Sequence, residues 1–259
     1  MKVVILAGGL GTRLREETEF RPKPMVEIGN RPILWHIMKI YAHYGYKDFV
    51  VCLGYKGEVI KEYFLDYEAM NNDFTVRLGN PNEIEFHSNH GEDGWRVTLA
   101  DTGDDAMTGA RIKRVEKYID GEEFMVTYGD GVADIDINKL LAFHRSHGHI
   151  ATLTGVRPTS RFGELLIKEN VVSEFSEKPQ SSEGHINGGF FIFKKEFFDY
   201  LENDDGCILE RTPMKRLAEA GELMVYPHDG FWQCMDTYRD NKYLQEIWQK
   251  GDAPWKVWA

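Results

Sequence analysis

Short apolar runs alternate with helix-type repeats along the first half of the chain. The segments Val3–Ala7, Asp48–Leu53 and Glu123–Tyr128 are mainly apolar in consecutive positions, as in parallel strands covered on both faces. Apolar residues recur at helical spacing after Pro32 and again from 59 to 67. Strands that alternate with helices predict a parallel sheet with right-handed crossovers.

Residues 72–101 have a different pattern, in which the strand-like segments FTVRL, EIEFHS and WRVTLAD are separated by Gly, Pro and Asn. They predict a β excursion from the main domain. Beyond it, the pattern predicts helices at 110–118, 137–147, 195–202, 209–220 and 238–249, and strands at 150–156, 164–168, 171–176, 188–193 and 223–226. The sequence contains no repeat or flexible linker, so we expect a single domain over residues 1–259.

Composition is ordinary for a globular domain: 259 residues, 42% hydrophobic and 28% charged. No stretch approaches the roughly 20 apolar residues of a membrane span, and the run Val3–Ala7 ends in glycines, as a strand does. A net charge of −11 argues against a nucleic-acid partner but not against a phosphate substrate. The cysteines Cys52, Cys207 and Cys234 lack metal spacing, so buried thiols in a reducing cytoplasm are expected.

The turn after the first strand reads Gly8-Gly9-Leu10-Gly11-Thr12-Arg13. Glycines let the backbone curl so that several N–H groups approach one anion. Thr12 adds a hydroxyl group and Arg13 a permanent cation. In Pro22-Lys23-Pro24, the flanking prolines restrict the backbone and help to aim the Lys23 ammonium group. The two segments together predict a site for a phosphate-bearing ligand.

Other glycine loops fit the chain less well. A P-loop needs a Lys-Ser or Lys-Thr pair, which the sequence lacks. A dinucleotide-binding fingerprint needs a glycine where Leu14 stands, and no acidic residue clearly ends a second strand at the required distance. A tight turn with surface charges is the plainest alternative, and the combination with Arg13 and Lys23 argues against it.

Carboxylates at two distant places are candidate metal ligands. Asp130 follows the strand Glu123–Tyr128, where open α/β sheets place ligands. A hard oxygen ligand there suits Mg²⁺ bound to substrate phosphates. Asp236 has apolar neighbours in WQCMDT, which is unusual for a solvated carboxylate. Thr237 and Asp240 have the spacing of a helix capping box, a role compatible with a metal role for Asp236.

Three further patterns in the sequence are weaker signals. Asp134 and Asp136 form a D-x-D pair of the kind used by metal-dependent glycosyltransferases, but helix capping is the expected role of Asp136. Surface charge and turn glycines would explain Glu177-Lys178-Pro179 and Asn187-Gly188-Gly189 taken singly. The histidines show no convincing ligand spacing, so core or helix-surface positions are expected for His36, His43, His144, His147 and His149.

In this order, the motifs resemble those of the sugar-1-phosphate nucleotidylyltransferases. The family pattern is a G-G-x-G-T-R-L loop, then P-K-P, G-D, E-K-P and a late metal aspartate. This chain has GGLGTRL at 8–14, PKP at 22–24, YGDG at 128–131, EKP at 177–179 and Asp236. Similarity is greatest to the cytidylyltransferases that act on glucose 1-phosphate, through PMVEIGNRPILWHIMK, VTLADTGDDAMTGARIKRV, TYGDGVADIDI, INGGFF, GFWQCMDTYRD and APWKVW.

The resemblance implies an α/β fold, a Rossmann-like three-layer sandwich with a mixed, mainly parallel sheet. It implies Mg²⁺ as cofactor, CTP and glucose 1-phosphate as substrates, and a homo-oligomer, either a trimer or a hexamer. The β excursion at about 72–101 is the candidate contact surface. The choice of cytosine rests on the resemblance alone, through residues 101–111.

The resemblance also assigns residues to sets. Catalytic residues would be Arg13 on the β- and γ-phosphates, Lys23 near the α-phosphate and Lys178 near the sugar phosphate. The metal ligands would be Asp130 and Asp236. The nucleotide would be bound by Leu6, Ala7, Gly8, Gly9, Gly11, Thr12, Arg13, Lys23, Thr102, Gly103, Thr108, Gly109 and Arg111. The sugar would be bound by Tyr128, Gly129, Gly163, Glu177, Lys178, Asn187, Gly188 and Thr237.

The sequence leaves some assignments open. Arg111 is expected to contact O2 of the base or the ribose, with an ion pair to an acid on its own helix as the plain alternative. A uridylyl- or thymidylyltransferase of the same family would share the motifs. A metal-dependent glycosyltransferase or a regulatory protein that binds nucleotide sugars without turnover are alternatives of other classes.

Overall fold

The structure is a computed structural model that describes residues 1–79, 83–87, 90–158, 164–168, 171–176 and 184–258. Its strands are β1 (Lys2–Leu6), β2 (Glu27–Ile28), β3 (Arg31–Pro32), β4 (Asp48–Leu53), β5 (Phe74–Val76), β6 (Ile84–Phe86), β7 (Arg96–Asp101), β8 (Glu123–Tyr128), β9 (Gly131–Ala133), β10 (Ala151–Val156), β11 (Glu164–Lys168), β12 (Val171–Ser176), β13 (Ile186–Lys194), β14 (Leu223–His228) and β15 (Trp232–Cys234). Its α-helices are α1 (Arg15–Thr18), α2 (Ile33–His43), α3 (Gly57–Leu65), α4 (Tyr67–Asn71), α5 (Thr108–Arg114), α6 (Ile137–His147), α7 (Thr212–Glu219) and α8 (Tyr238–Gln249). Short 3₁₀ helices cover Thr12–Leu14, Lys23–Met25, Glu116–Tyr118 and Lys195–Tyr200.

The central sheet contains seven strands in the order β14-β10-β13-β8-β1-β4-β7. Within this sheet, whose strands all lie in the described part of the chain, β13 runs antiparallel to both of its neighbours. The other neighbouring pairs are parallel. The prediction of a mixed, mainly parallel sheet is therefore confirmed.

Alternate residues of β1 pack on opposite faces of the sheet. Val3 and Ile5 belong to one buried cluster, which includes Ile37 of α2. Val4 and Leu6 belong to a second cluster with Ile112 of α5. Burying an aliphatic side chain contributes roughly 1.5–3 kcal/mol, so both faces of such a strand must be covered. The result is the three-layer α/β sandwich expected from the sequence.

Residues 72–101 are where the structure differs from the sequence prediction. Strands β5 and β6 form an antiparallel hairpin outside the main sheet, as predicted. The third segment, β7, instead pairs in parallel with β4, from Arg96 opposite Asp48 to Asp101 opposite Leu53. A half-buried edge strand and a hairpin strand have the same alternating pattern, so the pairing could not be read from it. The excursion therefore ends before Arg96.

His36 ties the end of the chain to the core. Its ring is fully buried, Nε2 donates to the Ile28 carbonyl at 2.9 Å, and Nδ1 accepts from Trp255 Nε1 at 3.4 Å. Burial lowers the pKa of His36 to about 4, so the ring is neutral at pH 7. The core position expected for this histidine is confirmed.

The described helices are all short. The longest, α8, has 12 residues, and no helix in the described ranges has the length and apolar character to cross a bilayer.

Candidate active site

A cavity of about 500 Å³ opens where β1 and β8 end. Its walls are the glycine loop after β1, the segment that contains Lys23, and the starts of α5 and β13. Strand β15 and Asp236 close one side. The predicted residues that line it are Leu6, Ala7, Gly8, Gly9, Gly11, Thr12, Arg13, Lys23, Thr108, Arg111, Tyr128, Gly129, Asp130, Asn187, Gly188 and Asp236.

Other predicted site residues lie elsewhere. Thr102 and Gly103 lie behind the lining, where both contact the Arg111 side chain. Gly109 packs against Cys207, since a Cβ atom on Gly109 would fall 2.7 Å from its sulfur. Thr237 caps helix α8. Gly163, Glu177 and Lys178 fall outside the described residues, so their roles stay predictions.

Lys23 is the centre of the charged end of the cavity. Its ammonium group donates to Asp130 Oδ2 at 2.6 Å and to Asp236 Oδ1 at 2.5 Å. Arg13 Nη1 donates to Asp236 Oδ2 at 2.6 Å. Burial lowers the pKa of Lys23, but the two carboxylates outweigh it, so the pKa lies above its ordinary value and the group is cationic at neutral pH.

The two predicted metal ligands therefore converge. Because both carboxylate oxygens lie within 2.6 Å of one nitrogen, they are separated by no more than twice that distance. Hard carboxylate oxygens are the ligands that Mg²⁺ prefers, and Mg²⁺ bound to phosphates usually needs only one or two of them. Within the described residues, no group of three or more His, Cys, Asp or Glu side chains is arranged to hold a metal ion. The pair fits a metal that shares its coordination with phosphates.

Local structure fixes each of these side chains. Gly129 donates its N–H to the Leu6 carbonyl at 3.0 Å, and a Cβ atom there would fall 2.8 Å from that oxygen. This close approach places Asp130 beside the glycine loop. Strand β15 pairs with β9, and Met235 N–H donates to the Asp130 carbonyl at 2.8 Å, which brings Asp236 alongside.

The D-x-D pair is used differently. Asp136 Oδ1 accepts from Lys139 N–H at 3.0 Å and caps α6, as predicted. Asp134 Oδ1 lies 2.9 Å from His228 Nε2. Burial lowers the pKa of His228, but the contact with Asp134, the hydrogen bond to the Phe231 carbonyl and the charge of Asp229 together outweigh it and raise the pKa overall. With one carboxylate capping a helix and the other paired, the arrangement does not form a shared metal site.

Comparison with known proteins agrees with this geometry. Residues 2–237 match the model of the family described as nucleotidyl transferase. The chain belongs to the nucleotidyl transferase family.

Individual relatives are similar over whole chains. A glucose-1-phosphate cytidylyltransferase of Salmonella typhimurium strain LT2 is 54% identical over the full length of both chains. A protein of Bacillus subtilis strain 168 described as a probable glucose-1-phosphate cytidylyltransferase is 46% identical, also over the full length of both. The resemblance inferred from the motifs is thus confirmed. The inositol-1-phosphate CTP transferase of T. maritima shares the fold, with a TM-score of 0.64 at 15% identity, covering 100% of this chain and 97% of that one.

The side of the cavity formed by Tyr128 and Asn187 has neighbouring residues that sequence reasoning missed. Tyr128 donates its hydroxyl hydrogen to Glu210 and accepts from Asn187 Nδ2 at 3.1 Å. Trp232 Nε1 donates to the Gly188 carbonyl at 2.7 Å. Trp232 lies in a segment already singled out, WQCMDT, whereas Glu210 belongs to no motif and nothing in its sequence context marked it.

Cys234 also lines the cavity, whereas all three cysteines were expected to be buried. The prediction is right for Cys52 and Cys207 and wrong for Cys234, which is half-buried. Burial and the charges of Asp236 and Asp130 raise the pKa of the Cys234 thiol to about 12. A protonated thiol is a poor nucleophile, and the structure places Cys234 in the cavity wall.

Arg111, which was expected to contact the base or the ribose, makes most of its contacts with the backbone. It is only 4% exposed, and its guanidinium donates to backbone carbonyls, including those of Leu53 at 2.9 Å and Gly103 at 2.7 Å. It pairs with no acid of its own helix, α5, whose residues are all described and include none. The donors expected to face the base are thus engaged with the backbone. The reason is that Arg111 lies one turn into α5 and its side chain extends back beneath the ends of β1, β4 and β7.

Proposed function

We propose that this chain transfers the cytidylyl group from CTP to α-D-glucose 1-phosphate, giving CDP-glucose and pyrophosphate. The reaction class is carried by one observation: Arg13 and Lys23 meet Asp130 and Asp236 beside the glycine loop. The 54% identity over the whole chain to a glucose-1-phosphate cytidylyltransferase supports the choice of both substrates.

The chemistry demands positioning and charge neutralisation. A phosphate oxygen of the sugar phosphate attacks the α-phosphorus of CTP in line and forms the new P–O bond. The bond from the α-phosphorus to the bridging oxygen breaks, and pyrophosphate leaves with the electron pair. The nucleophile is already an anion at pH 7, so no general base is needed. The protein must hold two polyanions together.

The residues of the cavity suit that task. The N–H groups of the glycine loop bind the triphosphate, and Arg13, whose side chain is 74% exposed, holds the departing phosphates. Lys23 lies within reach of the α-phosphate, where its ammonium group offsets the charge that builds up at the reacting phosphorus. Asp130 and Asp236 would hold Mg²⁺. When bound, Mg²⁺ would neutralise charge on phosphate oxygens and stabilise the leaving group.

The sugar half would lie against Tyr128, Asn187 and Gly188. Tyr128 is fixed by Glu210, and Asn187 Oδ1 accepts from the Gly189 N–H at 2.9 Å, so both side chains are held in place. Such pre-oriented polar groups distinguish sugars by their hydroxyl positions. Glu177, Lys178 and Gly163 complete the sugar site in this proposal.

Among the alternatives, a glycosyltransferase that uses a D-x-D metal site is disfavoured by the roles of Asp134 and Asp136. A regulatory protein would have no need of two cations and two carboxylates converging in one cavity. Transfer of a uridylyl or thymidylyl group would use the same machinery, and base selection must be measured.

The test is pyrophosphate release across a matrix of CTP, UTP, dTTP, ATP and GTP against glucose, mannose and galactose 1-phosphates. We expect the highest kcat/KM for CTP with glucose 1-phosphate. Equal kcat/KM for UTP or dTTP would reject the cytidylyl assignment and leave the family assignment standing. If no combination of nucleotide and sugar phosphate releases pyrophosphate, catalysis by nucleotidyl transfer is rejected.

A further inference from the structure

We propose that Arg111 is a positioning residue that holds the glycine loop in its anion-binding orientation and does not read the base. The inference rests on the proposed function, because it takes the loop to be the site of the nucleotide phosphates. It assigns Arg111 a role in phosphate affinity, where the sequence suggested a role in base recognition.

The Arg111 guanidinium joins the ends of three neighbouring parallel strands. Nη2 donates to the Gly8 carbonyl at 3.0 Å, just after β1. Nη1 donates to the Leu53 carbonyl at the end of β4, at 2.9 Å, and to Thr102 Oγ1, just after β7, at 2.8 Å. A cation that bonds several carbonyls at once fixes the direction of each of them.

The direction of the Gly8 carbonyl decides what the loop offers to a ligand. The bond between Gly8 and Gly9 is trans. In a trans peptide, the C=O of one residue and the N–H of the next point in opposite directions. Arg111 holds the Gly8 carbonyl towards the protein interior, together with the Tyr55 N–H, which donates to the same oxygen at 3.2 Å. The Gly9 N–H therefore points the other way, and Gly9 lines the cavity. A reversed peptide would present a carbonyl oxygen, which repels phosphate.

The neighbouring glycines are explained by the same contact. A Cβ atom on Gly8 would fall 2.2 Å from Arg111 Nη1. On Gly54, which follows β4, it would fall 2.5 Å from that atom and 2.7 Å from the Gly8 carbonyl oxygen. Both positions need glycine because the guanidinium packs directly against the backbone there.

Arg114 provides a matched control on the same helix. Its Nη1 donates to the Thr102 carbonyl at 2.5 Å, and its Nη2 pairs with Asp205. It thus supports the 102–104 segment without contacting the Gly8 carbonyl. A role confined to that segment would be shared by the two arginines, whereas a role at the glycine loop belongs to Arg111.

The experiment compares Arg111→Lys with Arg114→Lys by calorimetric binding of CTP, UTP, cytidine and pyrophosphate, each in excess Mg²⁺, with thermal unfolding measured alongside. For Arg111→Lys we expect CTP, UTP and pyrophosphate to bind about tenfold more weakly or worse, the cost of losing a charged hydrogen bond. The CTP to UTP ratio and the cytidine affinity should stay within about twofold of wild type. Arg114→Lys should leave the pyrophosphate affinity unchanged.

Two results with Arg111→Lys would overturn the proposal. A changed CTP to UTP ratio with normal pyrophosphate affinity would make Arg111 a base-reading residue. Normal affinities for all four ligands in a folded Arg111→Lys protein would reduce its role to packing. If Arg111→Lys does not fold, Gly54→Ala disturbs the same contact from β4 and should lower pyrophosphate affinity in the same way. A folded Gly54→Ala protein with normal pyrophosphate affinity would contradict the proposal.

Failure of the proposed function has a different signature. If wild type releases no pyrophosphate from any nucleotide, or prefers another base, the reaction or the base assignment fails. The loop proposal is decided separately, by pyrophosphate affinity in the variants relative to wild type.

Discussion

At the scale of single residues, the proposed chemistry depends on the charged end of the cavity. Lys23 is held between Asp130 and Asp236, and its side chain is only 12% exposed. A buried ammonium group that donates to carboxylates can donate to a phosphate oxygen instead when a ligand brings further negative charge. Its charge is needed most where negative charge develops in the transition state.

Replacing Lys23 with Met should lower kcat by about 100-fold or more, since a preorganised donor at the reacting centre contributes on this scale. Steady-state pyrophosphate release measures it. Lys47→Met is the control, because Lys47 is exposed and donates only to the Asp93 carbonyl among its contacts in the described ranges. A folded Lys23→Met protein with near-normal kcat would remove Lys23 from the mechanism.

Asp130→Asn and Asp236→Asn should each weaken binding of Mn²⁺, used as a paramagnetic substitute for Mg²⁺, in the presence of CTP. They should also lower activity by about 100-fold, because an amide lacks the charge that holds the ion. Electron paramagnetic resonance of free Mn²⁺ gives the affinity. The matched controls are Asp134→Asn and Asp136→Asn. If these variants lost metal binding instead, the D-x-D pair would be the metal site.

At the scale of elements, the helix that follows Asp236 holds that carboxylate in place. Asp240 Oδ2 accepts from the N–H groups of Asp236 at 3.1 Å and Thr237 at 2.8 Å, and Thr237 caps α8 in return. The capping box expected at Thr237 and Asp240 is present. The helix start thus serves stability and also positions a predicted metal ligand.

Asp240→Ala should lower the free energy of unfolding by about 1 kcal/mol, the usual loss for a capping residue, and should also weaken Mn²⁺ binding. Denaturant unfolding and the resonance titration measure the two effects. Asp252→Ala, an exposed aspartate beyond the end of the same helix, should change neither. Loss of stability with unchanged metal affinity would show that the cap stabilises α8 without positioning the metal ligand.

The packing of helix α2 against the C-terminal segment should make stability depend on pH. The pKa of His36 is about 4 in the folded protein, below the ordinary 6.5, because the ring is buried. Unfolding therefore takes up a proton between those values, and stability falls as pH falls through that window. We expect His36 to make the protein about 2 kcal/mol less stable at pH 5 than at pH 7.

Denaturant unfolding at both pH values tests this, with His36→Gln as the variant whose pH dependence should shrink. Some dependence should remain, since burial also lowers the pKa of His144 to about 4. His43→Gln, exposed at the end of α2, should behave like wild type. An unchanged slope in His36→Gln would show that the ring is charged or exposed in solution.

At the scale of the whole molecule, the hairpin of β5 and β6 projects an apolar surface. Its described apolar side chains are 41–90% exposed: Phe74, Val76, Leu78, Ile84 and Phe86. Exposed apolar patches of this kind mark contact sites with other proteins. The homo-oligomer expected from the sequence remains a prediction, and this hairpin is the surface on which it rests.

We expect sedimentation equilibrium to give a mass that is a multiple of the 29.9 kDa chain. The double variant Phe74→Glu with Phe86→Glu, two residues directly opposite each other in the hairpin, should dissociate it because charges are costly to bury. The control Val225→Glu, which lies on β14 at an edge of the main sheet, should leave the oligomer intact. A monomeric wild type would reject the oligomer, and an undissociated double variant would place the contact elsewhere.

The sequence by itself determined the layered α/β architecture, most element positions and the glycine loop. Consecutive apolar residues, helical spacing and glycines are local signals, and each follows from the backbone geometry of its own segment. The same local signals marked Lys23, Asp130 and Asp236 as candidates. They could not mark the short strands β9 and β15, whose three residues each are too few for a periodic pattern.

The tertiary structure decided which segments meet. The register of β9 on β15 brings Asp236 to Asp130, the pairing of β7 with β4 moves that strand into the main sheet, and the approach of α5 places Arg111 under Gly8. The partners of Arg111 are mostly backbone carbonyls, which every residue type carries. No residue pattern can predict such a contact, because only the folded chain determines which carbonyls lie within reach of the Arg111 side chain.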